Sequence, residues 1–363
     1  MWAMVAKEFR QLRRDRRTLA MMIALPVLLL VVFGYAASFD VHSIPTVVVG
    51  PGARVVAASL ASPFHVAEVD TAGSESTVVA RLRDGKDTVG IVTSAHGIVV
   101  YMDGTQLFSV ETAESALAKL KASRGAAGLQ TPPVQLKILF NPKLTTSWIM
   151  VPGLAGLILV FIGTLITSLG VVRERQSGTL EQLAVMPFRA WQVIAGKIAP
   201  YLMVASVDLV AILAIGMSVF NVPFRGNIGT FALGAALFLL VTLGVGVLIS
   251  TVSQNQGQAI QLAIMTMLPQ ILLSGFIFPV SSMAEGVRWI SYVLPLTYFV
   301  EISRGIMLKA APISSLWEPI ALLALLGAAV FGLAIARFRR DLAPNTRAAA
   351  DTAPPAIAEG SAA

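Results

Sequence analysis

The side chains in this chain that could do chemistry are few and scattered, and no set of them is arranged for catalysis. The 363 residues contain no cysteine, which excludes a disulfide framework, a thiolate metal site and a cysteine nucleophile. His42, His65 and His96 are the only histidines, and nothing near them has metal-ligand spacing, so no metal site is expected. No catalytic triad or carboxylate pair can be assembled, and no catalytic residue is assigned. The nearest Gly-Lys pair, in Arg83-Asp84-Gly85-Lys86-Asp87, lacks the Ser or Thr of a phosphate-binding loop. Without a G-x-x-x-x-G-K-[ST] sequence the chain cannot hydrolyse ATP by that route. What remains is charge in unusual places. Asp208 sits in the middle of YLMVASVDLVAIL, where a carboxylate costs about 2.5–3.5 kcal/mol unless it faces protein or water. It reads either as part of a substrate route or subunit contact, or as a protonated or hydrogen-bonded structural residue. Glu301 and Arg304, three apart on one helix face, can neutralise each other locally, within a gate or as a plain surface ion pair.

The richest polar stretch runs from Arg173 to Lys197. Thr179 followed by Gln182 fits a capping box, which predicts a short helix from Leu180; Ser177-Gly178 supplies the turn before it and Pro187 ends it. Leu180, Leu183 and Ala184 form an apolar strip on a helix of under two turns, too short to be stable alone in water. Such a helix needs either the lipid headgroup region or a partner protein.

These residues must be positioned by membrane-spanning elements. Hydrophobic residues make up 56% of the chain and charged ones 13%, against about 25% charged in an ordinary soluble domain, and mean hydropathy is +0.76. Six apolar stretches are expected to span: 19–38, then 149–172, 198–220, 228–252, 258–280 and 316–336. The first could instead be a cleaved signal peptide, but it is longer than a signal core and follows a long basic tail, so it reads as an anchor. Net charge is +7, yet residues 39–147 carry nine basic and nine acidic side chains and are neutral. The excess lies at the ends of the spans: Lys7, Arg10, Arg13, Arg14, Arg16 and Arg17 in the first 18 residues, Arg173, Arg175, Arg189 and Lys197 between spans, and Arg337, Arg339 and Arg340 after the last. That pattern is a topology signal rather than a nucleic-acid surface. It puts both termini in the cytoplasm and the 39–147 and 281–315 segments outside.

The outer block reads as a small α/β domain. Runs 44–50, 64–69, 87–93, 97–102 and 134–140 are short, β-branched and flanked by Gly, Pro or Asp, as strands are, while 74–84 and 106–123 have helical spacing. In the membrane region, Gly156, Gly163 and Gly170 recur every seven residues. If not accidental, this stripe marks close helix packing, with a second subunit as one candidate neighbour. Gly275 and Pro279 interrupt a span and Pro295 starts another helix, so the 275–309 stretch is a candidate lid over an outward exit.

Arg173, Glu174, Gly178, Thr179, Leu180, Glu181, Leu183 and Pro187 match, position by position, the R-E-x-x-x-G-T-L-E-x-L-x-x-x-P pattern of ABC exporter permeases of the type-2 family. Leu273-Ser-Gly-Phe-Ile-Phe-Pro279, Trp289, Leu294-Pro-Leu-Thr-Tyr298 and Arg304 also match, and Asn141-Pro142 and Val151-Pro152-Gly153 resemble the subgroup with a large external domain. The resemblance covers essentially the whole chain. It implies a polytopic α-helical membrane protein of six transmembrane helices, with a re-entrant segment before the last and an extracytoplasmic α/β domain. The segments would be a basic cytoplasmic stretch (1–18), the first helix (19–38), the outer domain (39–147), a five-helix region (148–337) containing the coupling segment (173–197) and a re-entrant or external segment (275–315), and a disordered cytoplasmic tail (338–363). It further implies a permease subunit that moves a hydrophobic or amphiphilic substrate out of the cytoplasm or inner leaflet of a bacterial inner membrane. The eight matched residues would contact the ATPase, and Gly275, Pro279, Pro295, Tyr298 and Arg304 would belong to the route or gate, to which Asp208 is added on its intramembrane position alone. The chain would hold no cofactor itself. ATP and magnesium would be bound by a separate P-loop ATPase subunit, the permease would pair with itself or a similar permease among membrane lipids, and a periplasmic adaptor could engage the outer domain. From the residues alone two other classes stay open: a secondary transporter or channel, for which no repeat between halves is evident, and a membrane-anchored sensor whose outer block binds a ligand.

Overall fold

The computed structural model describes residues 43–95, 97–126, 133–177 and 190–342, together with Val41 and isolated positions among the first 34. The expected contacts at Gly178, Thr179, Leu180, Glu181, Leu183 and Pro187, and the capping box, lie outside the described residues. So do most of the first span, whose described positions between 19 and 34 are all helical, and residues 343–363 of the tail.

The first compact unit is a five-stranded sheet in the order β2-β1-β3-β4-β5, formed by β1 (Ile44–Val49), β2 (Phe64–Asp70), β3 (Val89–Ser94), β4 (Gly97–Asp103) and β5 (Val134–Leu139). All neighbours are parallel except the β3–β4 hairpin. Each strand alternates between two cores, as a two-residue side-chain period requires. Ile44, Val48, Ile91, Val100 and Met102 face α1 (Ala53–Ser59) and α3 (Leu107–Ala126). Val47, Val49 and Tyr101 face α2 (Glu75–Arg83), which contributes Val78 and Leu82. At Gly90 of β3 a Cβ would lie 2.1 Å from Val78 Cγ1, so glycine is what lets α2 lie this close. Gly90→Val is expected to lift α2 and destabilise the unit by about 1–3 kcal/mol; an unchanged melting temperature in detergent would contradict this packing.

The second unit is helical. α4 (Thr146–Gln176) runs through its middle, and α5 (Ala190–Ser218), α6 (Ile228–Val252), α7 (Gln256–Leu273), α8 (Glu285–Ser291), α9 (Pro295–Lys309) and α10 (Ile313–Leu342) follow. Among the described residues four helices are long and apolar enough to cross a membrane: Thr146–Gln176, Trp191–Ser218, Ile228–Val252 and Ile313–Arg337. In the most apolar stretch of α4 and α6, 56% and 61% of residues are buried, against 17% and 22% in α5 and α10, so the first pair is core and the second faces outward. Phe238 of α6 stacks on Phe299 of α9 with ring centroids 4.3 Å apart at the centre of this core.

Two expected boundaries change, and the glycine stripe finds its neighbours. The 258–280 span is α7, which stops at Leu273 because Ser274 leaves the helix and Gly275 takes a φ of +79°. It has 18 residues, four of them glutamines, and is not among the four spanning candidates. The 173–197 segment is loop over less of its length than expected: Arg173 to Gln176 complete the last turn of α4, and 190–197 are the first turns of α5. The glycine stripe packs closely against helices of its own chain. A Cβ at Gly156 would meet Leu296 and Phe299 at 2.6 Å, at Gly163 Thr242 at 2.9 Å, and at Gly170 the Tyr201 hydroxyl at 2.1 Å. Small residues at a helix crossing admit the neighbouring helix this closely.

Candidate functional site

The break after α7 builds the most elaborate polar site among the described residues. Where the chain leaves the helix at Ser274, backbone carbonyls beyond it have no helical N–H and must find donors elsewhere. Arg304, in the middle of α9, serves two of them: Nη1 donates to Gly275 O at 3.2 Å and Nη2 to Phe276 O at 3.0 Å, while Nε donates to Ile149 O in the first turn of α4 at 3.2 Å. One planar guanidinium thus ties together the broken strand of backbone, the central helix and α9. This corrects the expected Glu301–Arg304 pair: Arg304 bonds three backbone carbonyls and no carboxylate. The Phe276 ring fills the space over Gly153, where a Cβ would lie 2.2 Å from it.

Beyond the break, Pro279 O accepts from Ser282 N and Oγ at 3.0 and 2.7 Å and closes a short 3-10 turn, Val280–Ser282. Pro295 occupies the first turn of α9, where its missing N–H costs nothing. The Tyr298 hydroxyl donates to Tyr292 O at 2.5 Å and Thr297 Oγ1 to Ser291 O at 2.7 Å, fastening the α8–α9 turn.

Between this region and the sheet unit lies a cavity of about 310 Å³, lined by Arg83 and Asp84 from one side and Gly275, Pro279, Glu301 and Arg304 from the other. Three of the expected gate residues (Gly275, Pro279, Arg304) therefore share one cavity. Pro295 and Tyr298 hold the turn beside it. Asp208 is elsewhere, half-buried on α5 next to the exposed Val207 and Val210, and makes no hydrogen bond to another described residue.

Lys309, at the end of α9, closes the cavity. Its ammonium ion-pairs with Asp103 of β4, donates to Leu82 O of α2 at 3.1 Å, and lies 5.6 Å from the Phe140 ring centroid. Asp103 spends its other oxygen on Thr105 N and Oγ1, at 3.0 and 2.7 Å. Two more ties run alongside. Ser315 Oγ donates to Asp84 Oδ1 at 2.6 Å, and Arg225 Nη1 donates to Phe140 O and Leu308 O, both at 3.0 Å, with its guanidinium 5.7 Å from the Trp148 ring centroid. Asn141 joins β5 to α4 by donating to Gly104 O and Thr145 O and accepting from Thr145 N at 3.0 Å. Sequence reasoning did not single out Lys309, Asp103 or Arg225, whose partners lie 206 and 85 or 83 residues away. The one available signal was a lone charge at the edge of an otherwise apolar run.

The opposite end of α4 is tied as well. Glu174 ion-pairs with Lys197 of α5. Arg175 Nη1 donates to Ser253 O, at the C-terminus of α6, at 3.1 Å, and Gln256 Nε2, at the start of α7, donates to Gln176 Oε1 at 3.1 Å. Arg173 and Arg175 also suit the negative end of the helix dipole. α7 therefore begins on the residues that flank the 178–189 segment and ends, about 27 Å further at 1.5 Å per residue, at the carbonyls held by Arg304.

Residues 16–336 match the family model of ABC-2 family transporter proteins. The chain is 29% identical to the probable multidrug ABC transporter permease YbhR of Escherichia coli (strain K12), over 94% of this chain and 99% of that one. It is 28% identical to the probable multidrug ABC transporter permease YbhS of the same strain, over 84% and 88%. With the ABC transporter G family member 20 of Dictyostelium discoideum it shares 29% identity over 58% of this chain and 30% of that much longer one. The helices that carry the polar ties and the residues between them fall inside the matched region, and the chain belongs to the ABC-2 family of membrane transporter proteins.

Proposed function

We propose that the chain is the membrane-spanning subunit of an ATP-driven exporter of hydrophobic or amphiphilic molecules, a reading supported by its similarity to probable multidrug ABC transporter permeases. The observation that carries this reading is the tethering of α7 at both ends, on the flanks of the 178–189 segment and on the Arg304 cluster. In this reading a separate P-loop ATPase binds ATP and magnesium and docks on 173–197, through Gly178, Thr179, Leu180, Glu181, Leu183 and Pro187 as well as Arg173 and Glu174. Its movement pulls on Gln176 and Ser253 and is passed along α7 to the break. The chain itself holds no cofactor and hydrolyses nothing.

The charge pattern supports six spans with both termini cytoplasmic, the sheet unit and the 275–315 segment on the outer face of a bacterial inner membrane, and a re-entrant path before the last span. The outward-facing α5 and α10 offer surface for lipid and for a second permease, identical or similar. Asp208 on α5 is assigned to that contact or to the route. A periplasmic adaptor on the sheet unit completes the proposed partners. The repertoire of a secondary transporter is disfavoured by the absence of a sequence repeat, and that of a sensor by the number of apolar helices.

The test is affinity purification from native membranes. A P-loop ATPase is expected to co-purify with the wild-type chain and to be lost, or reduced by at least about tenfold (about 1.4 kcal/mol of binding), on Gly178→Pro. Retention of the ATPase by that variant would contradict docking on this segment.

A further inference from the structure

A second cavity lies wholly within the sheet unit, away from the break. It has a volume of about 240 Å³ and opens between α3 and the face of the sheet built by β3, β4 and β5. The cause is local. Val110 and Ala113 seat the first half of α3 against the sheet with no exposure, whereas Leu117 and Leu120 further along are only half-buried. Edge strand β5 is left correspondingly uncovered, with Val134 41% and Leu136 48% exposed. Leu60, Ile98 and Val100 form the floor and walls, and Ser59, also in the lining, spends its hydroxyl on Val56 O at 2.8 Å. Glu114, half-buried, is the acidic group of the lining, and Lys121, two turns on, is solvent-exposed. Such a space lies between the roughly 150 Å³ apolar cavity that holds benzene and the roughly 300 Å³ lower bound of pockets for drug-sized ligands.

We propose that this slot binds the apolar portion of a small amine-bearing amphiphile, with the ammonium group at Glu114. An aliphatic slot without polar partners holds hydrocarbon in preference to water. A carboxylate at its rim favours a cationic head, while Lys121 can swing its long side chain into solvent. Binding does not require export: it is measured on the permease without its ATPase, and its failure would leave the exporter reading standing.

The test uses the full chain in lipid nanodiscs and a medium-chain aliphatic amine carrying a diazirine, with the matching carboxylate as comparison. On photolysis, saturable labelling by the amine is expected in peptides spanning 97–121 and 134–137, competed by unlabelled amine. It should fall by at least about tenfold in Ile98→Trp, which fills the slot, and in Leu136→Lys, a half-exposed site where folding is not at stake and where the added cation repels the amine; about tenfold corresponds to about 1.4 kcal/mol of affinity. Glu114→Gln should reduce the preference for amine over carboxylate, and Arg304→Gln should leave labelling unchanged. Labelling confined to the membrane helices, labelling of both slot variants equal to the wild type, or stronger labelling by the carboxylate would overturn the proposal. So would loss of a dimer in Leu136→Lys without any wild-type labelling, since the slot would then receive a second chain.

Discussion

Replacing Lys309 by methionine is expected to destabilise the contact between the sheet unit and the helices by about 3–5 kcal/mol, the usual cost of removing one partner from a buried ion pair. The Asp103 side chain is 2% exposed and, unlike Lys309, does not line the cavity, so its carboxylate would be left poorly hydrated. Asp103 would keep its bonds from Thr105 but lose its countercharge, and Leu82 O would lose a donor. The measurement is thermal unfolding in detergent together with protease cleavage of the sheet unit, which should both shift. Adding Asp103→Asn to Lys309→Met removes the stranded charge and should recover most of the loss, a coupling that a double-mutant cycle reads directly. A single variant that melts with the wild type would show that the two units are held by other ties, such as Ser315–Asp84 and Arg225, and not by this pair.

The second large effect is expected at Arg304. Arg304→Met strands the carbonyls of Gly275 and Phe276, each costing about 1–3 kcal/mol if left dry, and removes the side-chain donor from Ile149 O in the first turn of α4. The adjoining cavity admits water to some of them, so the net loss of stability should be smaller than the sum, roughly 2–4 kcal/mol. The functional loss should be larger than the structural one. With the break released, movement of α7 no longer reaches α9, and transport should drop by at least about tenfold, equivalent to about 1.4 kcal/mol, while the ATPase still co-purifies. Arg304→Lys should rescue little, because a single ammonium cannot reach three carbonyls in the planar fork that arginine offers. Full transport by the lysine variant would remove the geometric role given to the guanidinium.

The strands were legible because their information is local. Five β-branched runs bounded by Gly, Pro or Asp became β1 to β5 within a residue or two. α1 was not legible: Ala53–Ser59 is five alanines and valines with one arginine and one serine, too short to show a helical period. The ends of α4 and α5 were read as loop because their polar residues look unsuited to a span, yet a helix continues wherever its backbone bonds do, and Glu174 and Lys197 pair across it. Arg304 shows the limit most clearly. Its local spacing offers Glu301, but a broken helix a few tens of residues earlier leaves carbonyls that no spacing rule anticipates, and they take the guanidinium instead. Gly275, Pro279 and Arg304 lie in the stretch that resembles the family, and the fold brings them to one cavity; Asp208, singled out only by its place in an apolar run, the fold keeps apart.

The central claim is that this chain moves its substrate only when a separate ATPase drives it through 173–197. The most direct measurement is transport of an amphiphilic fluorescent dye in proteoliposomes containing the chain alone, or the chain with its co-purified ATPase. The account predicts no transport by the chain alone under any ion gradient, and ATP-dependent transport with the ATPase that is lost in Arg304→Met. Dye movement by the chain alone, driven by a proton or sodium gradient, would contradict it and make the protein a secondary transporter.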